Sequence, residues 1–294
     1  MFKILNAEML VDKIYMMEVE APNVAGACLP GQFLIVRADE KGERIPLTIC
    51  DYDRKKGTIT IVFQIVGAST LKMSKYKAGD SFADVTGPLG QPSEFVHEDL
   101  NELKKKKYLF VAGGVGTAPV YPQIKWLKEN GVYFDVIVGS KNHDTLIMEQ
   151  MMEKVAGEHL FITTDDGSYK RKGMVTVVIE DLVKNEGRKY DVCVAIGPMI
   201  MMKFAAKLTK ELDIPTIVSM NPVMVDGTGM CGACRLIVDG EVKFACVDGP
   251  EFDGHKVDFD QAMKRMALYK TEEGRRFLEA QEGDTHSGGC GNCN

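Results

Sequence analysis

The sequence lacks the long apolar runs, the secretion pattern and the internal repeats that mark many specialised protein classes. No run of about 18 consecutive apolar residues occurs, which excludes a membrane-spanning helix. The first ten residues, MFKILNAEML, have neither the charged start nor the small-residue cleavage site of a signal peptide, so we expect a cytoplasmic protein with no membrane partner. The net charge of −6 argues against nucleic acid as a partner, because proteins that bind nucleic acid carry basic surfaces.

Cysteine is distributed unevenly along the chain. The 294 residues include eight cysteines, and five of these follow Met230. Such clustering indicates metal chemistry in a reducing cytoplasm rather than a disulfide framework. The composition is otherwise that of a globular protein, with 45% hydrophobic and 27% charged residues, and the length allows two or three domains.

The stretch 221–250 carries four candidate metal ligands. An aspartate and three cysteines follow the spacing D-x4-C-x2-C-x11-C, with glycines between the first three. Asp239-Gly240 separates two apolar runs, and this dipeptide favours a type I′ hairpin turn because both residues tolerate a positive φ. Such a hairpin returns the chain to the first ligands, so the pattern predicts one small metal centre formed by Asp226, Cys231, Cys234 and Cys246.

Two kinds of metal centre fit these residues. The plant-type [2Fe–2S] loop has the spacing C-x4-C-x2-C with a distant fourth cysteine, and here Asp226 takes the place of the first cysteine. The alternative is a four-coordinate zinc site that pairs the C-x2-C of this stretch with the C-terminal Cys290 and Cys293. We favour the iron–sulfur centre because the zinc site leaves the last cysteine of the stretch without a role. Unliganded core cysteines are a third interpretation, which does not account for three cysteines in one glycine-rich loop and hairpin.

The first hundred residues contain short alternating segments separated by turns. We predict a small antiparallel barrel from this spacing, with strands at 9–20, 32–38, 58–66 and 81–85. Arg44 and Thr48 stand beside a strand start, where they are able to hold a phosphate and the edge of a flavin ring. Gly67-Ala-Ser-Thr70 opens a predicted helix over 70–76, whose N-terminus attracts anions. Taken alone, an arginine such as Arg44 is more often a surface ion-pair residue, and Ser69 or Thr70 is more often a helix N-cap.

After residue 107 the pattern changes to alternating strands and helices, which is typical of an open parallel α/β sheet. The turn Gly113-Gly-Val-Gly116-Thr-Ala-Pro119 joins a predicted strand, 108–112, to a predicted helix, 120–130. Such a turn lets the pyrophosphate of a dinucleotide approach the helix. Further loops with glycine or small polar residues follow the predicted strands 134–138, 160–164 and 192–196. Ligands bind at these carboxyl ends in open α/β sheets, so we predict one nucleotide site.

In this order, the motifs resemble those of the ferredoxin–NADP reductase superfamily, and within it the electron-transfer subunits of the dihydroorotate dehydrogenase type. The resemblance covers residues 1 to about 262. One departure is informative, because the dihydroorotate-type subunit has a cysteine where this chain has Asp226. The stretch VDGTGMCGACR is instead similar to the small subunit of the NADH-dependent reduced ferredoxin:NADP oxidoreductase, an electron-bifurcating transhydrogenase, and to the small subunit of sulfide dehydrogenase.

The resemblance implies a set of cofactors and the residues that hold them. One aspartate and three cysteines bind the [2Fe–2S] cluster in that family, which assigns the ligand roles to the four residues named above. FAD is implied to lie against Arg44, Pro46, Leu47, Thr48, Val62, Gln64, Val66, Gly67, Ser69 and Thr70. NAD(H), with NADP(H) as the alternative, is implied to lie against Gly114, Gly116, Thr117, Asp166, Gly197, Pro198 and Met199. No side chain is assigned a catalytic role, since the protein's part is positioning and the tuning of potentials.

The same resemblance implies a heterodimer. Its larger subunit holds a second FAD and [4Fe–4S] clusters, which eight cysteines cannot supply in this chain, and ferredoxin is an indirect partner. The resulting hypothesis is an oxidoreductase subunit that exchanges hydride between NAD(H) and FAD, and single electrons with the [2Fe–2S] cluster. The alternatives are an electron-transfer subunit of a sulfide or dihydroorotate dehydrogenase and a zinc-stabilised nucleotide-binding protein without redox activity.

Four segments follow from these assignments. We predict an FAD-binding β-barrel at 1–98, an NAD(P)-binding α/β domain at 99–220, a [2Fe–2S] domain at 221–262, and a helix with a flexible tail at 263–294. The helix is expected over 263–282, and the C-x2-C of the tail fits a metal site, a disulfide or no role. The basic stretch Lys170-Arg171-Lys172 fits either a 2′-phosphate site or a solvated turn, and the resemblance favours NAD(H).

Overall fold

The first half of the fold is an antiparallel sheet that nearly closes on itself. The computed structural model describes residues 1–282, and the predicted roles of Cys290 and Cys293 lie outside the described residues. Within that range the sheet contains β1 (Phe2–Val11), β2 (Ile14–Glu20), β3 (Phe33–Arg37), β4 (Arg44–Asp53), β5 (Thr58–Gln64), β6 (Ser81–Phe82) and β7 (Asp84–Leu89). Its order is β6-β1-β2-β5-β4-β3-β7. The two edge strands are separated only by Ala83, so the sheet curls into the predicted barrel.

Two strand predictions in the barrel are corrected by the structure. The predicted strand 9–20 is a hairpin, because Lys13 adopts a positive φ of 62° and turns the chain between β1 and β2. β4 is ten residues long and pairs with both β3 and β5, although the sequence indicated only its start. Two short helices flank the barrel, α1 (Pro22–Ala27) and α2 (Ala68–Met73), and α2 begins two residues before the predicted helix.

A second sheet follows the short connecting helix α3 (Leu100–Leu103). Its parallel strands are β8 (Lys107–Gly113), β9 (Tyr133–Ser140), β10 (Leu160–Thr164), β11 (Arg171–Lys172), β12 (Val192–Ile196) and β13 (Thr216–Ser219). The helices between them are α4 (Thr117–Glu129), α5 (Glu149–Ala156), α6 (Val175–Glu180) and α7 (Met199–Glu211). The strand order is β11-β10-β9-β8-β12-β13, so successive strands are added on one side of β8 as far as β11 and then on its other side. Open α/β sheets bind their ligands at such a switch point, which lies here between β8 and β12.

The C-terminal part forms a hairpin and then returns to the second sheet. The hairpin consists of β14 (Arg235–Val238) and β15 (Glu241–Phe244), as predicted from Asp239-Gly240. The next strand, β16 (Glu251–Asp253), pairs antiparallel with β13 and becomes the edge of the α/β sheet. Two helices, α8 (Phe259–Met266) and α9 (Lys270–Glu282), take the place of the single helix predicted over 263–282. The predicted segment limit after residue 262 falls within α8, and the four segment limits remain a prediction.

Three hydrophobic cores hold the described residues together. One fills the barrel, and a second lies between the α/β sheet and α4 and also includes Cys50 and Val62 of the barrel. The third lies on the opposite face of the sheet and joins barrel residues such as Phe33 to Cys234 and Cys246. The barrel, the α/β sheet and the hairpin therefore share buried apolar surface, which fixes their relative positions. No helix within residues 1–282 is long and apolar enough to cross a membrane.

Candidate redox site

The four candidate metal ligands meet as two pairs. Cys231 Sγ lies 3.1 Å from Asp226 Oδ1, and Cys234 Sγ lies 3.2 Å from Cys246 Sγ. Among residues 1–282, no three His, Cys, Asp or Glu side chains are close enough together to hold one metal ion. A [2Fe–2S] cluster takes two protein ligands on each iron, so donors arranged two and two fit such a cluster better than a single zinc ion.

Glycine shapes the segment 226–234, which we call the cluster loop. Gly227, Gly229 and Gly232 have φ values of 75°, 88° and 67°, a region that favours glycine because it has no Cβ. Asp239 and Gly240 both have positive φ at the hairpin tip, and the hairpin brings Cys246 beside the loop. The Cys246 amide donates to Cys234 Sγ at 3.4 Å, so the backbone after the hairpin also contacts this sulfur.

The two donor pairs differ in burial and in charge. The Cys231 thiol, with the Thr228 hydroxyl and backbone N–H groups, donates to Asp226 and holds the pKa of that exposed carboxyl well below its usual range. Cys234 and Cys246 are each 2% exposed. Burial, followed by the neighbouring Cys234, raises the pKa of Cys246 to about 12. A metal cation removes that proton, since a coordinating thiol is deprotonated on binding.

Arg44 connects the predicted flavin motif to the cluster loop. Its Nη2 donates to the backbone carbonyl of Asp226 at 3.2 Å, and its Nη1 lies 4.0 Å from Asp84 Oδ2. Its Nε is buried and has no hydrogen-bond partner among residues 1–282. Buried donors are normally satisfied, so this N–H fits an anionic group that is absent from the protein alone, such as the pyrophosphate of a flavin dinucleotide.

The other predicted flavin residues lie on neighbouring barrel strands and in the following turn. Pro46 and Thr48 share one face of β4 with the arginine, whereas Leu47 lies on the opposite face. Val62 and Gln64 share one face of β5, and this strand contacts the turn that follows β8. Only the apolar member of that pair is buried.

The turn before α2 uses one hydroxyl for its own geometry. The Thr70 hydroxyl accepts from the amides of Val66 and Gly67 and donates to the Gly67 carbonyl, so it caps this turn. Ser69 instead donates to Glu43 at 2.6 Å. Val66 is 72% exposed, which leaves an apolar side chain at the mouth of the predicted flavin site.

Glycine allows close backbone contact in the segment 113–117, which we call the nucleotide loop. A Cβ on Gly116 would lie 2.2 Å from the carbonyl oxygen of Ile196, at the end of β12. A Cβ on Gly197 would lie 3.0 Å from the carbonyl oxygen of Gly113. The Thr117 hydroxyl is buried and donates to the Gly114 carbonyl at 2.9 Å, which fixes the start of α4. The loops after β8 and β12 therefore touch at the switch point of the sheet.

Further loops complete the carboxyl edge of the sheet. Asp166 is exposed, and the Ser168 amide donates to it at 2.9 Å, which lowers the pKa of this carboxyl. Pro198 precedes α7, and Met199 at the start of α7 is buried in the core beneath the loop. The His143 and Tyr169 rings stack at 4.4 Å, an aromatic surface that sequence reasoning missed because the residues are distant in the chain.

Two residues of the basic stretch 170–172 already contact other side chains of the protein. Arg171 forms ion pairs with Asp181 and Glu186, and its guanidinium also lies over the Phe161 ring. Lys170 lies over the Tyr169 ring. The guanidinium of Arg171 is therefore already paired with two carboxylates.

The barrel, the parallel sheet and the cluster loop together define the ferredoxin–NADP reductase fold with an added iron–sulfur domain. Residues 221–258 match the family of iron–sulfur cluster binding domains of dihydroorotate dehydrogenase B. A chain in the solved structure of an NADH-dependent reduced ferredoxin-NADP oxidoreductase, described in terms of flavin-based electron bifurcation, is similar with a TM-score of 0.84 and 42% identity. The match covers 94% of this chain and 97% of that chain.

Sequence relatives extend over nearly the whole chain. A Thermotoga maritima protein described as a dihydroorotate dehydrogenase B (NAD(+)) electron transfer subunit homolog is 44% identical over 273 residues, which is 92% of this chain and 93% of the relative. An uncharacterised Clostridium beijerinckii protein from the adh 3′ region is 62% identical over 292 residues, 99% of this chain and 98% of the relative. The chain belongs to the family of dihydroorotate dehydrogenase B electron transfer subunits and their homologues.

Proposed function

We propose that the chain is the electron-transfer subunit of a heterodimeric, electron-bifurcating NADH/ferredoxin:NADP oxidoreductase. The observation that carries this proposal is the contact between Arg44 of the flavin motif and Asp226 of the cluster loop. It joins the two predicted cofactor sites in a chain that is 42% identical to one from such an oxidoreductase. The fold and the family are those of flavoproteins that use FAD, an iron–sulfur cluster and NAD(H).

The cluster is assigned to the two donor pairs of the cluster loop and hairpin. Asp226 and Cys231 would bind the iron nearer the surface, and the buried Cys234 and Cys246 would bind the other. The support for this assignment is the pairing of donors and the family match over residues 221–258. An aspartate ligand is a harder donor than a thiolate, so it changes the electronic properties of one iron.

The flavin is assigned to the groove beside β4 and α2. Arg44 would neutralise the pyrophosphate through its free N–H, and Thr48 would hydrogen-bond the edge of the isoalloxazine. Gln64 and Val66 would line the same groove. Bound FAD supplies the chemistry that joins two-electron hydride transfer to one-electron transfer. The chain's own contribution is to orient the ring between the nucleotide loop and the cluster loop.

The nicotinamide cofactor is assigned to the carboxyl edge of the parallel sheet. Gly114 and Gly116 keep the nucleotide loop free of side chains, so that the cofactor can approach the backbone and the N-terminus of α4. Asp166, which is exposed at this edge, would accept a hydrogen bond from a ribose hydroxyl. Because Arg171 is occupied by two carboxylates, we propose that NAD(H) is preferred to NADP(H).

The family relationship implies a larger catalytic subunit. We propose that this partner holds a second flavin and [4Fe–4S] clusters, and that it exchanges electrons with ferredoxin. Six cysteines lie within residues 1–282, and three of them, Cys28, Cys50 and Cys193, are buried singly in the cores. The described part of the chain therefore has cysteine ligands for one cluster and no set for a [4Fe–4S] cluster.

An anaerobic reduction experiment tests the proposed function. The purified chain should be brown, contain about two irons and one FAD, and bleach on addition of NADH more rapidly than on addition of NADPH. Co-purification from the source organism should yield a larger flavin and iron–sulfur subunit. Colourless protein with one bound zinc would refute the redox function.

One alternative function has a specific observation in its favour. The Thermotoga maritima relative is described as a homolog of a dihydroorotate dehydrogenase electron transfer subunit. The second candidate function is therefore electron transfer in dihydroorotate or sulfide oxidation. The cofactors are the same in both cases, and the difference lies in the partner. Adding dihydroorotate, sulfide, or reduced ferredoxin with NADP⁺ to the co-purified complex separates these possibilities.

A further inference from the structure

The outer face of the barrel carries predicted flavin residues and the cluster loop side by side. Leu34 and Val36 of β3 fill the core of the barrel, so the alternate residues of this strand lie on the outside. Directly opposite residues of β3 and β4 share a face, and the outer pairs are Phe33 with Thr48, Ile35 with Pro46, and Arg37 with Arg44. Any segment that lies on the outside of β3 is therefore next to the predicted flavin residues.

The cluster loop is such a segment. A Cβ on Gly227 would lie 2.5 Å from Ile35 Cδ1 on β3 and 3.1 Å from Leu89 Cδ1 on β7, so glycine lets the backbone of the loop touch the barrel. One residue earlier, the carbonyl of Asp226 accepts a hydrogen bond from Arg44 Nη2 at 3.2 Å. The backbone of the first candidate cluster ligand is thus held by an apolar contact and by a side chain of the flavin strand.

Two arginines on this face have donors that the protein does not use. Arg44 Nε is buried and without a hydrogen-bond partner among residues 1–282, and the same holds for Nε of Arg37 directly opposite it. Like charges that face each other on neighbouring strands repel. Asp84 Oδ2 is 4.0 Å from Arg44 Nη1, which is longer than a hydrogen bond. An anion bound here would satisfy a buried donor and reduce the repulsion.

The shape of the guanidinium makes the two contacts of Arg44 depend on each other. Its donors lie in one rigid plane, so the orientation that gives Nη2 to the Asp226 carbonyl also fixes Nε. Without an anion, this orientation leaves Nε buried and unsatisfied, which costs free energy. An anion removes that cost and therefore stabilises the orientation that holds the cluster loop. A ligand with such a preference for one state shifts the equilibrium towards it.

We propose that Arg44 is a positioning residue that couples occupancy of the flavin site to the binding of the cluster. The pyrophosphate of FAD stabilises the arginine orientation that holds the Asp226 backbone, and an ordered cluster loop favours FAD in return. This coupling rests on the function proposed above, because it requires both cofactors. Coupling between two sites is reciprocal, and the cost of one unsatisfied buried donor corresponds to a factor of about 5 to 150 in each affinity.

The affinity for FAD tests the coupling without an activity measurement. FAD is removed from the full-length protein and titrated back, once with the cluster present and once after the iron has been removed by a chelator. We expect the dissociation constant of FAD to be about tenfold lower when the cluster is present. In the reverse experiment, the chelator should remove iron more slowly from protein that holds FAD. Equal FAD affinities with and without the cluster would overturn the proposal.

Arg44→Lys separates the coupling from the charge of the side chain. Lysine keeps the positive charge, but its single ammonium does not present separate donors in one plane to an anion and to the Asp226 carbonyl. FAD should bind more weakly, and loss of the cluster should change its dissociation constant by less than about twofold. A merely structural role for Arg44 would lower stability and leave the tenfold cluster effect in place, which would contradict the proposal.

Thr48→Val is the matched control. This residue lies on the same face of β4, and its hydroxyl is assigned to the flavin ring rather than to the cluster loop. The substitution should therefore weaken FAD binding while the cluster effect of about tenfold remains. A cluster effect that disappears equally in Thr48→Val and Arg44→Lys would show that the arginine is not what couples the two sites.

Hydrogen exchange in the original protein decides the question if Arg44→Lys does not fold or does not bind FAD. The cluster-free protein is compared with and without FAD at the amides of Thr228 and Met230, which donate to the Asp226 carboxylate at 3.4 and 3.1 Å. Slower exchange with FAD supports the coupling, and identical exchange contradicts it. Purified protein that holds neither FAD nor iron would refute the proposed function and the coupling with it, whereas loaded protein without a cluster effect would refute the coupling alone.

Discussion

The cluster loop and the nucleotide loop both depend on glycine, and they use it for different physical reasons. In the cluster loop the glycines adopt positive φ and let the chain curl around a central point. In the nucleotide loop Gly116 has an ordinary φ, and what it needs is space, because the backbone of β12 passes against it. The cluster-loop glycines are therefore favoured by backbone conformation, whereas Gly116 is required by steric contact.

The same contrast extends to the polar groups of the two loops. In the cluster loop and the hairpin that follows, the candidate donors are side chains. One pair, Asp226 and Cys231, is exposed, and the other, Cys234 and Cys246, is buried. The nucleotide loop exposes backbone rather than side chains, and its one hydroxyl, on Thr117, donates to the Gly114 carbonyl within the turn. Side-chain changes should therefore be most severe in the cluster loop, and added volume most severe in the nucleotide loop.

The largest expected effect is the loss of the cluster on substitution of a ligand. Cys246→Ala removes one of the two buried donors, so we expect protein without the [2Fe–2S] absorbance and with little bound iron. Cys290→Ala is the matched control and should keep both. Iron content and visible spectra measure the result. Bound zinc that is retained in Cys246→Ala and lost in Cys290→Ala would favour the zinc site instead.

Added volume in the nucleotide loop should have the next largest effect. Gly116→Ala would bring a methyl group 2.2 Å from the Ile196 carbonyl, and we expect it to destabilise the protein by about 1–3 kcal/mol and to abolish tight NADH binding. Gly114→Ala is the control. It meets no atom within 4 Å, and its positive φ of 53° should cost only about 1–2 kcal/mol. Denaturant unfolding compares the stability of the two variants, for which Gly114→Ala is the control, and NADH titration follows binding in Gly116→Ala. An equal loss of stability in both variants would show that the contact with Ile196 is not what requires glycine at position 116.

A change of ligand type should have a smaller effect than its removal. Asp226→Cys restores the all-cysteine pattern, so we expect the cluster to be retained with a shifted reduction potential and an altered spectrum. Redox titration monitored by electron paramagnetic resonance measures the shift. If potential and spectrum are both unchanged, Asp226 is not a ligand.

The smallest effects should come from the two threonines that brace the loops. Thr117→Val removes a buried hydrogen bond to Gly114 and should cost about 1 kcal/mol of stability. Thr228→Val removes an exposed bond to Asp226, and we expect it to cost less because water replaces the hydroxyl. Parallel denaturant curves give both values. A larger loss in Thr228→Val would show that the cluster loop depends on its polar groups more than the geometry indicates.

The sequence was informative wherever neighbouring residues determine the structure. Periodicity predicted the barrel and the parallel sheet, and Asp239-Gly240 predicted the hairpin. The cysteine spacing predicted one convergence of four donors, which lie as two pairs, and their role as ligands remains a prediction. The order of motifs along the chain also led to the family, which the relatives confirm. These features could be predicted because they depend on residues that are close together in the sequence.

The missed features depend on contacts between distant parts of the chain. β16 is three residues long, too short for a periodic signal, and it becomes a strand only by pairing with β13. Glu251 accepts hydrogen bonds from Gln123 and Ser93, which lie 128 and 158 positions earlier in the chain. The contact between Arg44 and the Asp226 carbonyl spans 182 positions and uses backbone, which carries no sequence signal. Tertiary packing alone creates these arrangements.

The return of the chain through β16 has a consequence for how the cluster unit relates to the rest of the protein. Ser219 and Glu251 are direct partners in the sheet. Residues 220–250 therefore leave the sheet and return to it at adjacent positions. An insertion with adjoining ends costs the host sheet little, since a longer loop adds only a small closure entropy. The cluster unit is therefore carried at one border of the second sheet, and the parallel order of β8 to β13 does not depend on the path of the chain through it.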